Sequence, residues 1–346
     1  MTAGDFAMIA VAVEEPHRLV VRADAAAPPG PGEVAIRIAR AGICGSDMHI
    51  LHGTNPFAVY PRIIGHEFAG VVEAVGEGVA GPAPGDHVVG DPVIACGHCY
   101  PCRVGRPNVC ARLEVLGVHR DGGFRSRVVI PAANAVKVPP ALPLAIAALA
   151  EPFSVAANVL GRTGCGPQDT VLVYGAGTVG LTVLQVARLH GARVIVADID
   201  AARLELAQAL GADRVVHSRR EPVPAAVAAE NEGLGPSLVI DGAGIPSLLA
   251  EAVAVASPAG RIGLLGFAAE PSALVQQEVV RKELSIFGSR LNRRLIPEVV
   301  GWLASGRLDP GAMITRTFAA AEARAAFDLL ETDPGRAVKV QLAFDA

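Results

Sequence analysis

The stretch that most limits what this chain can fold into is Val171-Leu-Val-Tyr-Gly175-Ala-Gly177-Thr178-Val179-Gly180. Its apolar start reads as a strand, its three glycines as a tight turn, and the apolar run from Leu181 as a helix. The first glycine lets the chain reverse, the second lets a pyrophosphate approach the backbone, and the third lets helix and strand pack closely. Unsatisfied N–H groups at the helix start favour negative charge there. Asp198 follows 18 residues after Gly180, at the end of the next apolar run. A carboxylate in that position accepts hydrogen bonds from both hydroxyls of an adenosine ribose and repels a 2′-phosphate. Arg203, close by, is a group that would accept such a phosphate. The acid holds the key position, so the expected cofactor is NAD rather than NADP.

Around this turn the pattern alternates. Strands are expected near 171–174, 193–197, 214–216, 238–241, 261–265 and 284–288, with helical segments between most of them and Gly191 and Gly211 placed as helix-terminal glycines. Six strands in that rhythm predict an α/β doubly wound parallel sheet. The first 140 residues differ. Short apolar runs at Val34 to Ile38, Ala69 to Val75, Val88 to Val89 and Val128 to Ile130 are separated by Pro28-Pro-Gly-Pro-Gly32 and Gly81-Pro-Ala-Pro-Gly85, predicting an irregular antiparallel β domain. Residues 141–160 read as helix broken by Pro143 and Pro152. The tail holds helices at Ile296 to Leu303 and Glu322 to Leu330 and a strand at Ala337 to Leu342, and periodicity leaves open which domain it joins.

Charge and hydropathy remove other classes. The 30 basic and 34 acidic residues form no long block of one sign, so the footprint of a nucleic-acid binder is missing. Only Lys137, Lys282 and Lys339 are lysines, a bias to which no mechanism attaches. The most apolar runs are cut by Pro143, Glu151, Gly175 and Gly180 before they reach a membrane-spanning length. The amino-terminal Met-Thr-Ala-Gly-Asp-Phe lacks the basic start of a secretory signal. A cytoplasmic protein with no nucleic-acid or membrane partner is expected.

Of six cysteines, Cys96, Cys99, Cys102 and Cys110 fall in one 15-residue window as C-x2-C-x2-C-x7-C. In a reducing compartment such clustering reads as metal ligation before disulfide formation. Four thiolates can surround one Zn²⁺ tetrahedrally and leave no open position, which makes a structural site. His98 lies between two ligands but is not needed.

A third set is dispersed: Cys44, then Gly65-His66-Glu67, then Glu151-Pro152. Each residue alone has a bland reading as a small buried thiol, a core histidine or a helix-start carboxylate. Beside a dinucleotide turn they suggest a catalytic zinc, which needs ligands from separate elements and one open position. Ser46 and His49 could then carry a proton from a bound alcohol to solvent. Without that metal they read equally well as a helix cap and a surface imidazole.

Taken together, Cys44-Gly-Ser-Asp-x-His49, Gly65-His-Glu-Phe-Ala-Gly70, Gly85-Asp-x-Val88, the four-cysteine run, Glu151-Pro152 and Tyr174-Gly-Ala-Gly-x-Val-Gly180 resemble the zinc-dependent medium-chain dehydrogenases, in their polyol, threonine and hexonate branch. The stretches His52–Pro61, Cys96–Pro101, Leu116–Phe124 and Glu283–Asn292 are closer still to L-galactonate and L-idonate 5-dehydrogenase-like proteins. The resemblance implies a discontinuous GroES-like β-barrel catalytic domain, residues 1–152 and 292–346, with a Rossmann domain, 153–291, inserted between. It places the active site in the cleft between domains.

By position it makes Cys44 and His66 catalytic zinc ligands. Glu67 and Glu151 match the two carboxylates of the branch, one ligating directly and the other through water or on ligand movement, in unresolved order. Cys96, Cys99, Cys102 and Cys110 match the structural zinc lobe, and Ser46 and His49 the proton relay. Gly175, Gly177, Thr178, Val179, Gly180, Asp198 and Arg203 match the cofactor site. Arg290 matches a substrate-binding arginine, but the tyrosine expected after it is Leu291 here. The implied function is zinc- and NAD-dependent oxidation of a secondary alcohol of a polyhydroxy acid or sugar alcohol, with two zinc ions per chain in a homo-oligomer. Rivals are a polyol or L-threonine dehydrogenase, a non-catalytic zinc-stabilised NAD-binding regulator, and a zinc-free quinone reductase that conflicts with both ligand sets.

Overall fold

The computed structural model describes residues 8–25 and 27–345, so the amino-terminal hexapeptide read above lies outside the described residues. The chain divides into two compact units, one reaching Glu151 and resuming at Arg293, the other running from Pro152 to Asn292.

The first unit is built on the strand Glu33–Gly42. It pairs antiparallel with Glu67–Val75 along its whole length, with Arg127–Pro131 over Glu33 to Arg37, and with Lys339–Ala343 over Arg40 to Gly42. His87–Gly90 and Ala135–Lys137 extend one side of this sheet, and Ile314–Ala319 adds a strand parallel to Lys339–Ala343 on the other. The register slips between Ala35 and Ile36 and again between Ile38 and Arg40. Such bulges increase local twist and bend a sheet toward closure. The carboxyl-terminal strand therefore belongs to the first unit, which answers what periodicity left open about the tail.

A smaller sheet, Arg18–Ala23, Ile9–Glu15 and Arg62–Ile63, is absent from the sequence reading, although Ile9 to Val13 and Leu19 to Val21 are short apolar runs of strand length. Phe68, Phe124, Phe327, Ile36, Ile38 and Ile50 are among the large side chains fully withdrawn from solvent in this unit.

The second unit holds one six-stranded parallel sheet in the order Arg214–His217, Arg193–Asp198, Thr170–Tyr174, Leu238–Asp241, Arg261–Leu264, Ser285–Gly288. All six strands lie within a residue or so of their expected positions. Val171, Leu172, Val173, Val194, Ile195, Val196, Leu238, Val239 and Ile240 are wholly buried, as expected where helices cover both faces of a parallel sheet. The chain order reverses at Thr170–Tyr174, and ligands of such sheets bind outside the strand ends at that point.

The expected break at Pro152 does not occur. The helix there runs Ala150–Thr163, so Pro152 sits in its first turn, where no N–H donor is needed. The interruption falls instead at Ala148 and Leu149, after the short helix Leu144–Ala147. The 144–163 stretch is apolar and long enough to span a membrane by composition, but its most apolar window is 72% buried inside the protein.

Phe68→Ala tests the first core. Removing a fully buried ring costs about 3–5 kcal/mol, read as a lowered denaturant midpoint, while the same change at the exposed Phe267 leaves the midpoint in place.

Candidate active site

Strand pairing brings the dispersed residues together. Gly42 is the register partner of Glu67, so Cys44, two residues beyond the end of one strand, comes to lie beside His66 and Glu67 at the start of the other. Cys44 Sγ, a ring nitrogen of His66 and a carboxylate oxygen of Glu67 all fall within 4.8 Å of one another. Cys44 is half-buried, His66 and Glu67 buried.

The helix Gly45–Leu51 starts directly after Cys44. Its Asp47, fully buried, accepts a hydrogen bond from Cys44 N at 2.9 Å and one from Gly65 N at 3.2 Å. One carboxylate thus staples the turn at Cys44 to the turn at Gly65. It also lies 3.7 Å from His66 Nδ1, which makes no hydrogen bond of its own. Ser46 Oγ is 3.4 Å from His66 Nε2, on the other side of the ring. His49, exposed on the same helix, has its Nδ1 2.9 Å from Thr54 Oγ1.

Glu67 has a second partner. Lys339 Nζ lies 2.9 and 2.7 Å from its two carboxylate oxygens and donates to Ile43 O at 3.0 Å, and both side chains are 1% exposed. Gly42 makes the room, since a Cβ there would sit 2.3 Å from Glu67 Oε2. Glu151, buried at the start of its helix, is not in the tight three-residue group.

Electrostatics follow from burial among like charges. Burial disfavours the charged form of His66, but Asp47, Cys44 and Glu151 outweigh it and hold the imidazolium well above its usual range. Burial pushes the Asp47 carboxyl up, and burial together with Glu67 pushes Glu151 to about 7. Lys339 is opposed by burial yet raised by Glu67 and Cys44. Soft sulfur, imidazole and carboxylate donors converging in one buried pocket fit a zinc ion.

The four-cysteine lobe is a second such set. Its sulfurs also lie within 4.8 Å of one another, with Cys99 Sγ 3.4 Å from Cys102 Sγ and 3.7 Å from Cys110 Sγ. Backbone N–H groups point at them: Cys96 N and Arg112 N at Cys110 Sγ, and Ala111 N at Cys99 Sγ. The N–H of Ala111 helps lower the Cys99 thiol to about 6, whereas burial and the neighbouring sulfurs push Cys102 to about 12. Four sulfurs at this spacing cannot all ionise unless a cation compensates them, and a tetrahedral zinc would. His98 is exposed, its Nδ1 2.8 Å from Cys96 O.

In the second unit the glycine turn follows its strand as expected. Gly175 has φ +92°, and a Cβ on Gly180 would lie 1.8 Å from Gly175 O, so that position must stay bare for the helix Thr178–Leu189 to start. A Cβ on Gly177 would meet nothing within 4 Å, leaving an open approach to the backbone beside Thr178 and Val179. Asp198 is buried at the end of Arg193–Asp198 and accepts from Ala176 N at 2.6 Å and Asp200 N at 2.8 Å. Asp200 in turn accepts from Arg203 N at 3.0 Å, capping the helix Ala201–Ala209. This cradle fits a dinucleotide.

Arg290 is half-buried in the same unit, its guanidinium 5.8 Å from the centre of the Phe267 ring. Asn158 Nδ2 donates to Ser289 Oγ and to the carbonyls of Arg290 and Leu291, fixing that segment. Asp47, Lys339 and Asn158 were missed. Asp47 stood inside a quoted motif without a role. Lys339 carries no local signal, because what matters is strand pairing over almost 300 residues.

Comparison with known proteins identifies the family. Residues 30–140 match the family model described as "Alcohol dehydrogenase GroES-like domain", and 178–305 the model "Zinc-binding dehydrogenase". The starvation-sensing protein RspB of Escherichia coli K12 is 48% identical over 97% of this chain and 99% of its own length. L-galactonate-5-dehydrogenase of the same strain is 33% identical over 88% of this chain and 90% of its own. An alcohol dehydrogenase of E. coli CFT073 crystallised with NADH superposes with a TM-score of 0.93 at 47% identity, covering 97% of this chain and 99% of that one. A zinc-binding dehydrogenase of Sinorhizobium meliloti bound to NADP gives 0.92 at 32% identity, covering 97% and 99%.

The protonated groups around His66 set a test. Burial and the neighbouring charges favour the protonated forms of His66 and Glu151, so zinc uptake at this site by stripped protein is expected to weaken as pH falls through about 7 and to strengthen above it. Calorimetry in buffers of different ionisation enthalpy will register proton release on binding. A pH-independent affinity with no release would contradict these protonation states.

Proposed function

The chain belongs to the zinc-dependent medium-chain alcohol dehydrogenase family, and from that premise we propose that it oxidises a secondary alcohol of a polyhydroxy acid or sugar alcohol to the ketone, reducing NAD⁺. The substrate class put forward is a hexonate such as L-galactonate or L-idonate. The observation that carries this reading is the buried Cys44, His66 and Glu67 cluster with the Ser46 hydroxyl beside it.

Residue roles follow from the geometry. Cys44 and His66 would hold the catalytic zinc with a carboxylate from Glu67 or Glu151, and Cys96, Cys99, Cys102 and Cys110 a structural one. When bound, zinc supplies Lewis acidity to the substrate hydroxyl and the dinucleotide accepts the hydride. Asp47 fixes the two ligand turns and the His66 ring. Ser46 Oγ is placed to take the hydroxyl proton, and His49, exposed on the same helix, to hand it to solvent. Gly175, Gly177, Thr178, Val179 and Gly180 would carry the pyrophosphate at the helix start. Asp198, already receiving two backbone N–H groups, would accept from the ribose hydroxyls, which favours NAD, with Arg203 nearby. Arg290 offers a planar fork for a substrate hydroxyl or carboxylate.

The similarity to L-galactonate-5-dehydrogenase supports the hexonate class. One of the two similar structures holds NADH and the other NADP, and the buried Asp198 supports NAD for this chain. Our reading also includes a cytoplasmic homo-oligomer without nucleic-acid or membrane partners. Ser285–Gly288, at one edge of its sheet with Ile286 exposed, supports assembly between copies.

NAD⁺ reduction will be screened over hexonates, hexitols, pentitols and L-threonine, with a hexonate expected as the best substrate. Threonine as the sole good substrate would overturn the hexonate part alone. Metal analysis should find about two zincs per chain. Cys44→Ser should remove one of them and abolish turnover, and full activity in zinc-free protein would falsify the zinc mechanism.

Asp198→Ala should relax the preference for NAD over NADP by about tenfold or more in kcat/KM, since one charged hydrogen-bonding group is lost. An unchanged ratio would remove Asp198 from cofactor discrimination.

A further inference from the structure

We propose that Asn158 is a positioning residue of substrate recognition: by holding the carbonyls of Arg290 and Leu291 it fixes where the Arg290 guanidinium is presented. The proposal rests on Arg290 meeting a hydroxyl or carboxylate of the substrate, as read above.

An amide stands here where its helix otherwise makes apolar contact. Asn158 lies in Ala150–Thr163 among Ala156, Ala157, Val159 and Leu160, all buried, and is itself 0% exposed. A buried amide is costly unless its hydrogens are bonded. Thr163, buried on the same helix, turns its hydroxyl back onto that helix's own carbonyls, those of Val159 and Leu160. Asn158 reaches a different segment. Its Nδ2 donates to Ser289 Oγ at 3.1 Å, Arg290 O at 3.3 Å and Leu291 O at 2.9 Å, so two N–H groups serve three acceptors on consecutive residues.

Those residues need holding. Ser289 N still donates to Leu264 O at 2.9 Å, one step beyond the strand Ser285–Gly288, so Arg290 is where the chain leaves the sheet. Leu291 has φ +50° and Arg294 φ +61°. A side chain with a Cβ is strained in that left-handed region, and the strain persists only where the surroundings over-determine it. The carbonyls of Arg290 and Leu291 flank the Leu291 Cα. One amide bonded to both therefore sets φ and ψ of that residue together.

The far end of Arg290 is also seated. Its guanidinium lies 5.8 Å from the centre of the Phe267 ring, within cation–π range. The loop bearing that ring is closely packed, since a Cβ on Gly266 would sit 2.1 Å from the Gly244 Cα. With root and tip both held, the planar fork is offered in one orientation, and less of its freedom remains to be lost on binding. Without the amide, Leu291 can leave the left-handed region and carry Arg290 with it.

The test uses holoenzyme with NAD⁺ and L-galactonate, or the first-ranked compound of the substrate screen should L-galactonate not be turned over. Asn158→Asp keeps the shape but sets an oxygen where the donating nitrogen was. It should raise the KM for that substrate about tenfold and change kcat and the KM for NAD⁺ by less than about twofold, the pattern of lost uniform binding. Arg290→Leu should raise the same KM at least as much, and adding Asn158→Asp to it should raise it no further, because both act through one contact. A folded Asn158→Asp enzyme with an unchanged substrate KM overturns the proposal. So does a double variant whose loss is the product of the two single losses, or an equal loss in the KM for NAD⁺, which a merely structural role would give. Should Asn158→Asp fail to fold, Asn158→Ser decides, since it keeps one donor and adds no charge. A rise in substrate KM of about threefold, absent in the Arg290→Leu background, is then expected, and no rise overturns the proposal. Failure of the underlying reading looks different: Arg290→Leu alone would leave the substrate KM unchanged, and the proposal falls with it.

Discussion

Everything in the first unit depends on how the strand Glu33–Gly42 is shared. Along one edge it takes Glu67–Val75, and along the other, at its far end, Lys339–Ala343. Backbone pairing therefore places Cys44, His66, Glu67 and Lys339 in one pocket although the first and last are nearly 300 residues apart. A one-residue slip would send alternate side chains to the opposite face, so the ladder and its bulges specify the site as strictly as the side chains themselves do. Asp47 completes the arrangement by bonding the backbone at Cys44 and at Gly65, which converts strand register into site geometry.

The two cation sites are built on opposite logic. In the cysteine lobe all four donors lie close in sequence, are fixed by nearby N–H groups, and can be assembled by one loop. Such a site closes around its ion and contributes folding free energy. The Cys44 group draws its donors from the ends of two paired strands, Cys44 from one and the adjacent His66 and Glu67 from the other, and has further charged residues near it, Asp47, Glu151 and Lys339. Local chain entropy makes the first site cheap to form. The second group comes together only once its strands have paired.

That contrast also explains what could be read from the sequence. The six strands of the parallel sheet, the glycine turn and the four-cysteine lobe were legible because each is governed by local periodicity or short spacing. The grouping of Cys44, His66 and Glu67 was suggested by residue types beside a dinucleotide turn and placed by position only through resemblance to known dehydrogenases, since no local rule links Cys44 to the other two. Lys339 was counted merely as one of three lysines. Its importance comes from pairing in the sheet, which a one-dimensional pattern does not encode. Pro152 misled for the converse reason: a proline in a helical stretch signals a break, yet in the first turn it replaces a donor that has no intrahelical partner. Ile9–Glu15 and Arg18–Ala23 escaped notice because their apolar runs are short and carry no motif.

Because Pro152–Asn292 is one continuous segment while the other unit is split around it, synthesis and assembly occur in a fixed order. The parallel sheet has all its strands once Gly288 has been made, and domains fold as units as they emerge. The first unit must wait for Lys339–Ala343 before Glu33–Gly42 finds its second partner. Until then Cys44 and Glu67 belong to an unfinished sheet with an exposed edge, the kind of edge that recruits foreign strands. The interval between making Cys44 and making Lys339 is thus the period in which this sheet is most open to mispairing. The loop-closure cost of the search for the right partner grows only slowly with the length of chain between the paired strands.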